Sequence, residues 1–180
     1  MLLENDRRKI KRTAKESGYN KGTIKTNSTD GISDTRDTDV AFSSESYLYN
    51  LFSPLIHGAN EGAGWKYDID WFEPVQIARY KKNQHYAWHT DGPSDHFGSN
   101  TSDDRGGENF VGKVRKLSLI ACLSSGYVGG DLELALQRQD EPNEILYPKM
   151  ECGDVIEFPS YVFHRSTPIT KGVKYSAAIW

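Results

Sequence analysis

The sequence predicts a mainly β domain with flanking helices, built as a sandwich or barrel. Two observations lead there. From Trp65 onward, short runs rich in β-branched and aromatic residues alternate with turns, and the aromatic residues, 12% of the chain, gather in the C-terminal two-thirds. Before that point the apolar residues fall at helical spacing instead. The 180 residues fit one domain, 1–180, with helical support over 1–60 and a β core over 65–180.

Leu3, Ile10 and Ala14 form a thin helical stripe, so residues 2–17 read as a surface helix. The first 25 residues hold eight Lys/Arg against three acids, which reads as a solvated helix face rather than a nucleic-acid arm. Residues 27–37 are turn-formers without periodicity and read as a loop. Ser43 or Ser44 can cap a second helix, along which Leu48, Leu51, Phe52 and Leu55 recur at helical spacing. Pro54 lies inside that pattern and is expected to kink or shorten the helix.

The strand-like runs follow: Trp65–Ile69, Val75–Tyr80, Tyr86–His89, Val114–Leu123, Asp131–Leu136, Ile145–Tyr147, Val155–Phe158 and Val173–Trp180. Residues 92–113 interrupt them with a polar, Gly-rich stretch that is long for a connection, as lids and binding loops are.

Composition excludes several classes. Hydrophobic residues at 37%, charged residues at 26% and a net charge of -3 describe an ordinary globular chain, not a basic nucleic-acid footprint. No apolar run approaches a membrane span, and Met1-Leu2-Leu3 turns at once to charged residues, unlike a secretory signal. Cys122 and Cys152 are too few for a disulfide scaffold or a thiolate zinc site and read as buried reduced thiols, hence a reducing, cytoplasmic setting. No membrane partner and no nucleic acid are expected; the oligomeric state is open.

His89-Thr90-Asp91 closes a strand-like run. On an extended backbone, residues i and i+2 project to one face, so an imidazole and a carboxylate can reach one cation together. Alone, the motif fits an exposed polar turn better than a metal site. The other end of the domain supplies a further imidazole, His164, after the turn and strand that begin Cys152-Gly153-Asp154. Two His and one carboxylate form the facial triad of non-haem iron oxygenases, which leaves positions open for a co-substrate and O2. His85 shares a strand face with His89 and is a minor alternative ligand; His57 falls in the helix and His96 in the long loop. Lys174 and Ser176 share a strand face, and an ammonium beside a hydroxyl can hold a carboxylate, although a solvated strand lysine has the same signature. Lys171, on the preceding turn, is the more natural solvated residue.

The ordered set now includes Gln76 to Tyr80, Tyr86 to Asp91, Arg115-Lys116-Leu117-Ser118, Gly129-Gly130-Asp131-Leu132-Glu133-Leu134, Gly153-Asp154 through Pro159, His164, and Pro168 to Ser176. It resembles the Fe(II)- and 2-oxoglutarate-dependent dioxygenases, most closely their small prolyl 4-hydroxylase-like branch, over residues 36–180. The resemblance implies a double-stranded β-helix (jelly roll, cupin-like) with helices on one sheet. It implies that His89, Asp91 and His164 bind Fe(II), that Lys174 pairs with the distal carboxylate of 2-oxoglutarate, and that the Tyr80 hydroxyl reaches the same carboxylate. Ser176 is a weaker candidate there and Ser118 weaker still, while Arg115 is expected to support the strand entry or lid.

The implied reaction is hydroxylation of a C–H bond with O2, releasing succinate and CO2, with ascorbate expected from the family. The short N-terminal part and the composition of residues 92–113 leave the substrate open: a peptidyl proline, another peptide or protein site, or a small molecule. The alternatives are a non-enzymatic jelly-roll binding module, a cupin-like metal enzyme without 2-oxoglutarate, and a hydroxylase or demethylase of a non-proline substrate. Loss of any of the three ligands or the anchor would favour the binding module, and all four are present.

Overall fold

A computed structural model describes residues 1–22, 35–92, 113–136 and 144–180. Most of the expected lid at 92–113, most of the expected loop at 27–37, and His96 lie outside these residues. The chain runs α1 (Glu4–Ser17), β1 (Asn20–Lys21), β2 (Arg36–Asp37), β3 (Asp39–Ser43), α2 (Ser46–Gly62), β4 (Val75–Tyr80) and β5 (His85–His89). It continues with β6 (Leu117–Cys122), β7 (Val128–Gly129), β8 (Leu132–Leu136), β9 (Glu144–Leu146), β10 (Val155–Pro159), β11 (Phe163–Ser166), β12 (Ile169–Lys171) and β13 (Lys174–Ile179).

These strands make a larger sheet in the order β1-β3-β4-β13-β6-β10, a smaller sheet β2-β5-β11-β8-β9, and a two-stranded β12-β7 ribbon. The pairings within them are antiparallel. The two facing sheets are the double-stranded β-helix that the resemblance implies.

Period-two alternation divides the larger sheet into two chemical faces. Ala41, Ile77, Ala177, Ala121 and Val155 are successive cross-strand partners and form its outer stripe. That stripe belongs to the main core with Ile10 and Ala14 of α1 and with Leu48, Phe52 and Ile56 of α2, so both helices cover this face. One residue out of step, Val40, Ala78, Ser176 and Cys122 form the inner stripe, which faces the smaller sheet. A polar Ser176 and a free Cys122 there already mark the inner space as more than a packing layer.

Several expectations are corrected. α2 begins at Ser46, not at Ser43 or Ser44, because Ser43 is the last residue of β3. Its N-cap is Glu45, without a side-chain cap bond, and the Glu45 N–H donates to Ser43 Oγ at 3.4 Å. Pro54 does not shorten α2, which continues to Gly62. Pro54 lies on the exposed side, while Leu48, Phe52 and Ile56 anchor the opposite side in the core, and that packing outweighs the missing N–H.

The run Trp65–Ile69 forms no strand. Its aromatic residues pack on the core, but its backbone is held by a side chain: Asn60 Nδ2 donates to the Tyr67 carbonyl at 2.8 Å, and the Tyr67 N–H donates to Asn60 Oδ1 at 2.9 Å. Val114–Leu123 is a strand only from Leu117 to Cys122. Part of the expected 27–37 loop, Arg36–Asp37, pairs with β5. Cys122 is buried as expected, whereas Cys152 is half-buried.

Candidate metal centre

The neighbouring strands β5 and β11 of the smaller sheet build the site. His89 and His164 are direct cross-strand partners in that antiparallel pair. Between His164/Ser166 and His89/Tyr86 the register slips, a bulge that turns both Tyr86 and His89 to the inner side. Their rings stack at 3.5 Å with an interplanar angle of 12°, and Phe158 meets His164 edge-on at 4.8 Å. The two imidazoles are therefore wedged by aromatic neighbours.

Asp91 follows β5, where the chain leaves the sheet. Its N–H and that of Gly92 both donate to the Ser160 carbonyl, at 3.0 and 2.9 Å. From the other side, Arg115 Nη1 donates to the Asp91 carbonyl at 3.0 Å. A side chain at Gly92 would meet the Arg115 carbonyl at 2.9 Å, so a glycine is required for this close approach.

Pinned in this way, the Asp91 carboxylate lies between the two rings, with Oδ1 3.5 Å from His89 Nε2 and Oδ2 3.4 Å from His164 Nε2. One ligand atom from each of His89, Asp91 and His164 falls within 4.8 Å of the others. In both histidines Nδ1 faces the carbonyl two residues upstream, Ala87 at 2.8 Å and Val162 at 3.0 Å. An Nδ1–H donated to a carbonyl leaves the Nε2 lone pair directed at the cluster, which is the tautomer a metal requires.

The electrostatics agree. Burial pushes the His164 imidazole down, only partly offset by Asp91, which favours the neutral ring. Burial pushes the Asp91 carboxyl up, but the neighbouring His89 and His164 imidazoles and the Arg115 guanidinium hold it well below the usual carboxylate range. An ionised carboxylate and two directed nitrogen donors on one side of a point fit a divalent cation with open positions.

The same cavity reaches Lys174, Ser176 and Tyr80. Lys174 is only 8% exposed, and no carboxylate among the described residues forms an ion pair with it. Its Nζ donates to the Gly130 carbonyl at 2.5 Å and to Ser166 Oγ at 3.2 Å. Burial pushes the ammonium down to about 8, with Cys122 and Asp131 opposing. Tyr80 is the cross-strand partner of Lys174, with its ring centroid 5.6 Å from Nζ, and burial raises its phenol. A buried cation satisfied only by neutral oxygens fits an anionic ligand such as the far carboxylate of 2-oxoglutarate.

Other predicted residues lie elsewhere. His85, at the start of β5, has Nδ1 3.4 Å from the Asn83 carbonyl and is outside the cluster. His57 meets Phe72 edge-on in α2. Ser118 is fully buried, with Oγ 2.9 Å from Ser160 Oγ, and does not line the cavity. Arg115 forms a two-point ion pair with buried Glu73 at 2.5 and 2.6 Å and stacks on Trp180. Sequence reasoning missed Glu73, the Tyr86–His89 stack and the Gly130 carbonyl. The glycine pair 129–130 was the one available signal for the last of these.

A jelly roll with His-x-Asp and a distant His converging inside it defines the class of non-haem metal oxygenases. The chain belongs to the 2OG-Fe(II) oxygenase superfamily, whose family model matches residues 75–180. It is 28% identical over 110 residues to PKHD-type hydroxylases of Janthinobacterium sp. (strain Marseille) and Herminiimonas arsenicoxydans, covering 61% of this chain and 43% of each relative. The chain thus spans less than half the length of these curated relatives. Among solved structures, the fold is similar to a viral collagen prolyl hydroxylase from Paramecium Bursaria Chlorella virus-1 (TM-score 0.64, 20% identity, 99% of this chain and 90% of that one). It is also similar to a Trichoplax adhaerens prolyl hydroxylase in complex with a hypoxia inducible factor peptide fragment (TM-score 0.68, 18% identity, 96% and 74%). No helix among the described residues is long and apolar enough to cross a membrane.

Proposed function

We propose that this protein is an Fe(II)- and 2-oxoglutarate-dependent dioxygenase that hydroxylates a C–H bond of a peptide or protein substrate, with a prolyl residue as the favoured target. The observation that carries this reading is that the cluster of His89, Asp91 and His164 shares one cavity with the buried Lys174 ammonium. When bound, iron, O2 and 2-oxoglutarate supply the oxidising chemistry, with succinate and CO2 as co-products. The chain's own residues bind, orient and exclude water.

His89 and His164 present Nε2, and Asp91 a carboxylate oxygen, to the metal, while the Ala87 and Val162 carbonyls hold the ring tautomers. Lys174 receives the distal carboxylate of 2-oxoglutarate, and Tyr80 and Ser176 flank it. Ile120, Leu132 and Ala178 line the same space and keep it apolar between the two polar ends. The prolyl target is supported by the prolyl hydroxylase names of the structural neighbours, and a reducing, cytoplasmic setting by two free cysteines. Ascorbate is proposed as the reductant on family grounds alone.

The test combines spectroscopy and turnover. Anaerobic Fe(II) with 2-oxoglutarate should give a weak visible charge-transfer band that Asp91→Ala lacks. Proline-containing peptides should gain the mass of one oxygen atom in step with succinate release. A protein that gives neither band nor succinate would return the chain to the binding-module reading.

A further inference from the structure

Arg36, on the edge strand β2 of the smaller sheet, reaches across to the larger one. Its guanidinium lies over the Tyr86 ring at 4.5 Å, and Gly22 packs so close that a Cβ there would lie 2.9 Å from Nε. Arg36 Nη2 donates to Gln76 Oε1 at 3.0 Å, while Nε has no acceptor among the described residues. A guanidinium only donates, so this contact fixes the amide, with its oxygen toward Arg36 and its nitrogen away from it. Gln76 is 7% exposed and lines the same cavity as His89, Asp91 and His164. We infer that Gln76 is a specificity-determining residue whose Nε2–H groups donate, in that cavity, to an amide carbonyl of the substrate, and that Arg36 is the positioning residue that turns them there.

Gln76 stands well away from the proposed co-substrate anchor. Along the β4–β13 pair, Tyr80 faces Lys174 and Gln76 faces Ala178, four residues further on, which is ~13 Å at ~3.3 Å per residue. On the facing sheet, Ser166, which holds Lys174 Nζ, is two residues from His164, or ~7 Å. A co-substrate that reaches from Lys174 to the metal therefore spans about half the distance to Gln76, and the remaining length is left for the substrate.

The chemistry of that end selects an amide. The donor is uncharged and the Asp91 carboxylate lines the same cavity, so a neutral carbonyl suits it better than a second anion. Trp180, two residues beyond Ala178, also lines the cavity, with Arg115 over its ring at 3.9 Å. It gives an apolar side chain next to that carbonyl a surface to rest on. A peptide bond beside an apolar residue has both features. That the ligand is the substrate rests on the proposed function; the direction of the amide does not.

The full chain is titrated by ligand-observed NMR with N-acetylproline methylamide and N-acetylalanine methylamide, first without metal and then with Zn(II) and 2-oxoglutarate. The wild type should bind at least one of the two amides. Gln76→Met keeps the volume and loses both donors; it should weaken that amide by about tenfold and leave 2-oxoglutarate within about twofold. Gln76→Glu keeps an acceptor for Arg36 but has no donor, and it should weaken the amide as much, so the test stands even where Gln76→Met folds poorly. Arg36→Met releases the amide and should cost about threefold, and Arg36→Lys should recover most of that loss. Added to Gln76→Met, Arg36→Met should cost nothing more, because Arg36 acts through Gln76.

No binding of either amide, unchanged binding in both Gln76 variants, or additive losses in the double variant would overturn the inference. A Gln76→Met protein that loses 2-oxoglutarate and keeps the amide would overturn it as well, by assigning Gln76 to the co-substrate. If 2-oxoglutarate does not bind the wild type, the proposed function falls, and the metal-free amide titrations still decide the role of Gln76.

Discussion

His89 and His164 lie directly opposite each other across the β5–β11 pair, with ring centroids 4.1 Å apart, although one belongs to the middle of the chain and the other to its C-terminal part. Their Nε2 atoms converge on opposite oxygens of Asp91. His164→Ala should abolish stoichiometric Fe(II) binding while keeping the fold. At about 100 times the dissociation constant, Fe(II) should stabilise the wild type by about 2.7 kcal/mol, and the variant should gain nothing. A thermal-shift titration under anaerobic conditions reads both.

Lys174 gives a pH dependence with a definite sign. Its ammonium titrates near 8 because burial disfavours the charge, and an incoming carboxylate restores it. Affinity for 2-oxoglutarate should therefore be fully present below pH 8 and fall as pH rises through that value, by up to about tenfold per unit. In Lys174→Ala the affinity should be low throughout and the slope absent, with Fe(II) binding nearly unchanged. Isothermal titration across pH 7 to about 9.5 tests this.

Arg115 acts on the cluster through the Asp91 backbone rather than through its charge alone. Arg115→Ala strands Glu73, which is 6% exposed, and should destabilise the fold by about 3 kcal/mol. With Asp91 held from one side only, Fe(II) affinity should fall by about tenfold or more. Arg115→Lys should recover stability only in part, because one ammonium cannot replace the two-point contact with Glu73 and still reach the Asp91 carbonyl. Denaturant melts and Fe(II) titrations separate the two effects.

Gly130 supplies the carbonyl that holds Lys174, at a backbone φ of 68°. A Cβ there would lie 2.3 Å from Ile169 Cδ1 and 3.1 Å from Lys174 Cδ. Gly130→Ala should lower stability by about 1–3 kcal/mol and raise the 2-oxoglutarate KM, while kcat at saturation changes less. A loss confined to kcat would argue against the role of this carbonyl.

Pro54 offers a stabilising change. It occupies an exposed interior position of α2, so Pro54→Ala restores a backbone donor without disturbing the core. A gain of about 1–3 kcal/mol is expected, with unchanged metal binding. A melting temperature that does not rise would mean that neighbouring turns have adapted fully to the proline.

The parts of this architecture that were legible in the sequence are those written as local pattern. β4, β5 and β13 are short β-rich runs set off by turns, and the His-x-Asp spacing, the later His164 and the Lys174–Ser176 pair are all short-range signatures. β3 was missed because Asp39–Ser43 is a brief run whose strand identity comes from pairing with β4. Trp65–Ile69 has strand composition, yet Asn60 satisfies part of its backbone, so it needs no ladder. The Glu73–Arg115 pair and the Gly130 carbonyl are long-range contacts, visible only once the sheets close.

With Fe(II) bound as proposed, the placement of the two imidazoles on adjacent strands from distant parts of the chain would make the cation a fastener between early- and late-synthesised segments. A nascent chain lacking β11 would hold two of the three proposed donors, His89 and Asp91, and should retain the ion only weakly. Loading should thus follow completion of the barrel, and release should accompany any opening that separates β5 from β11.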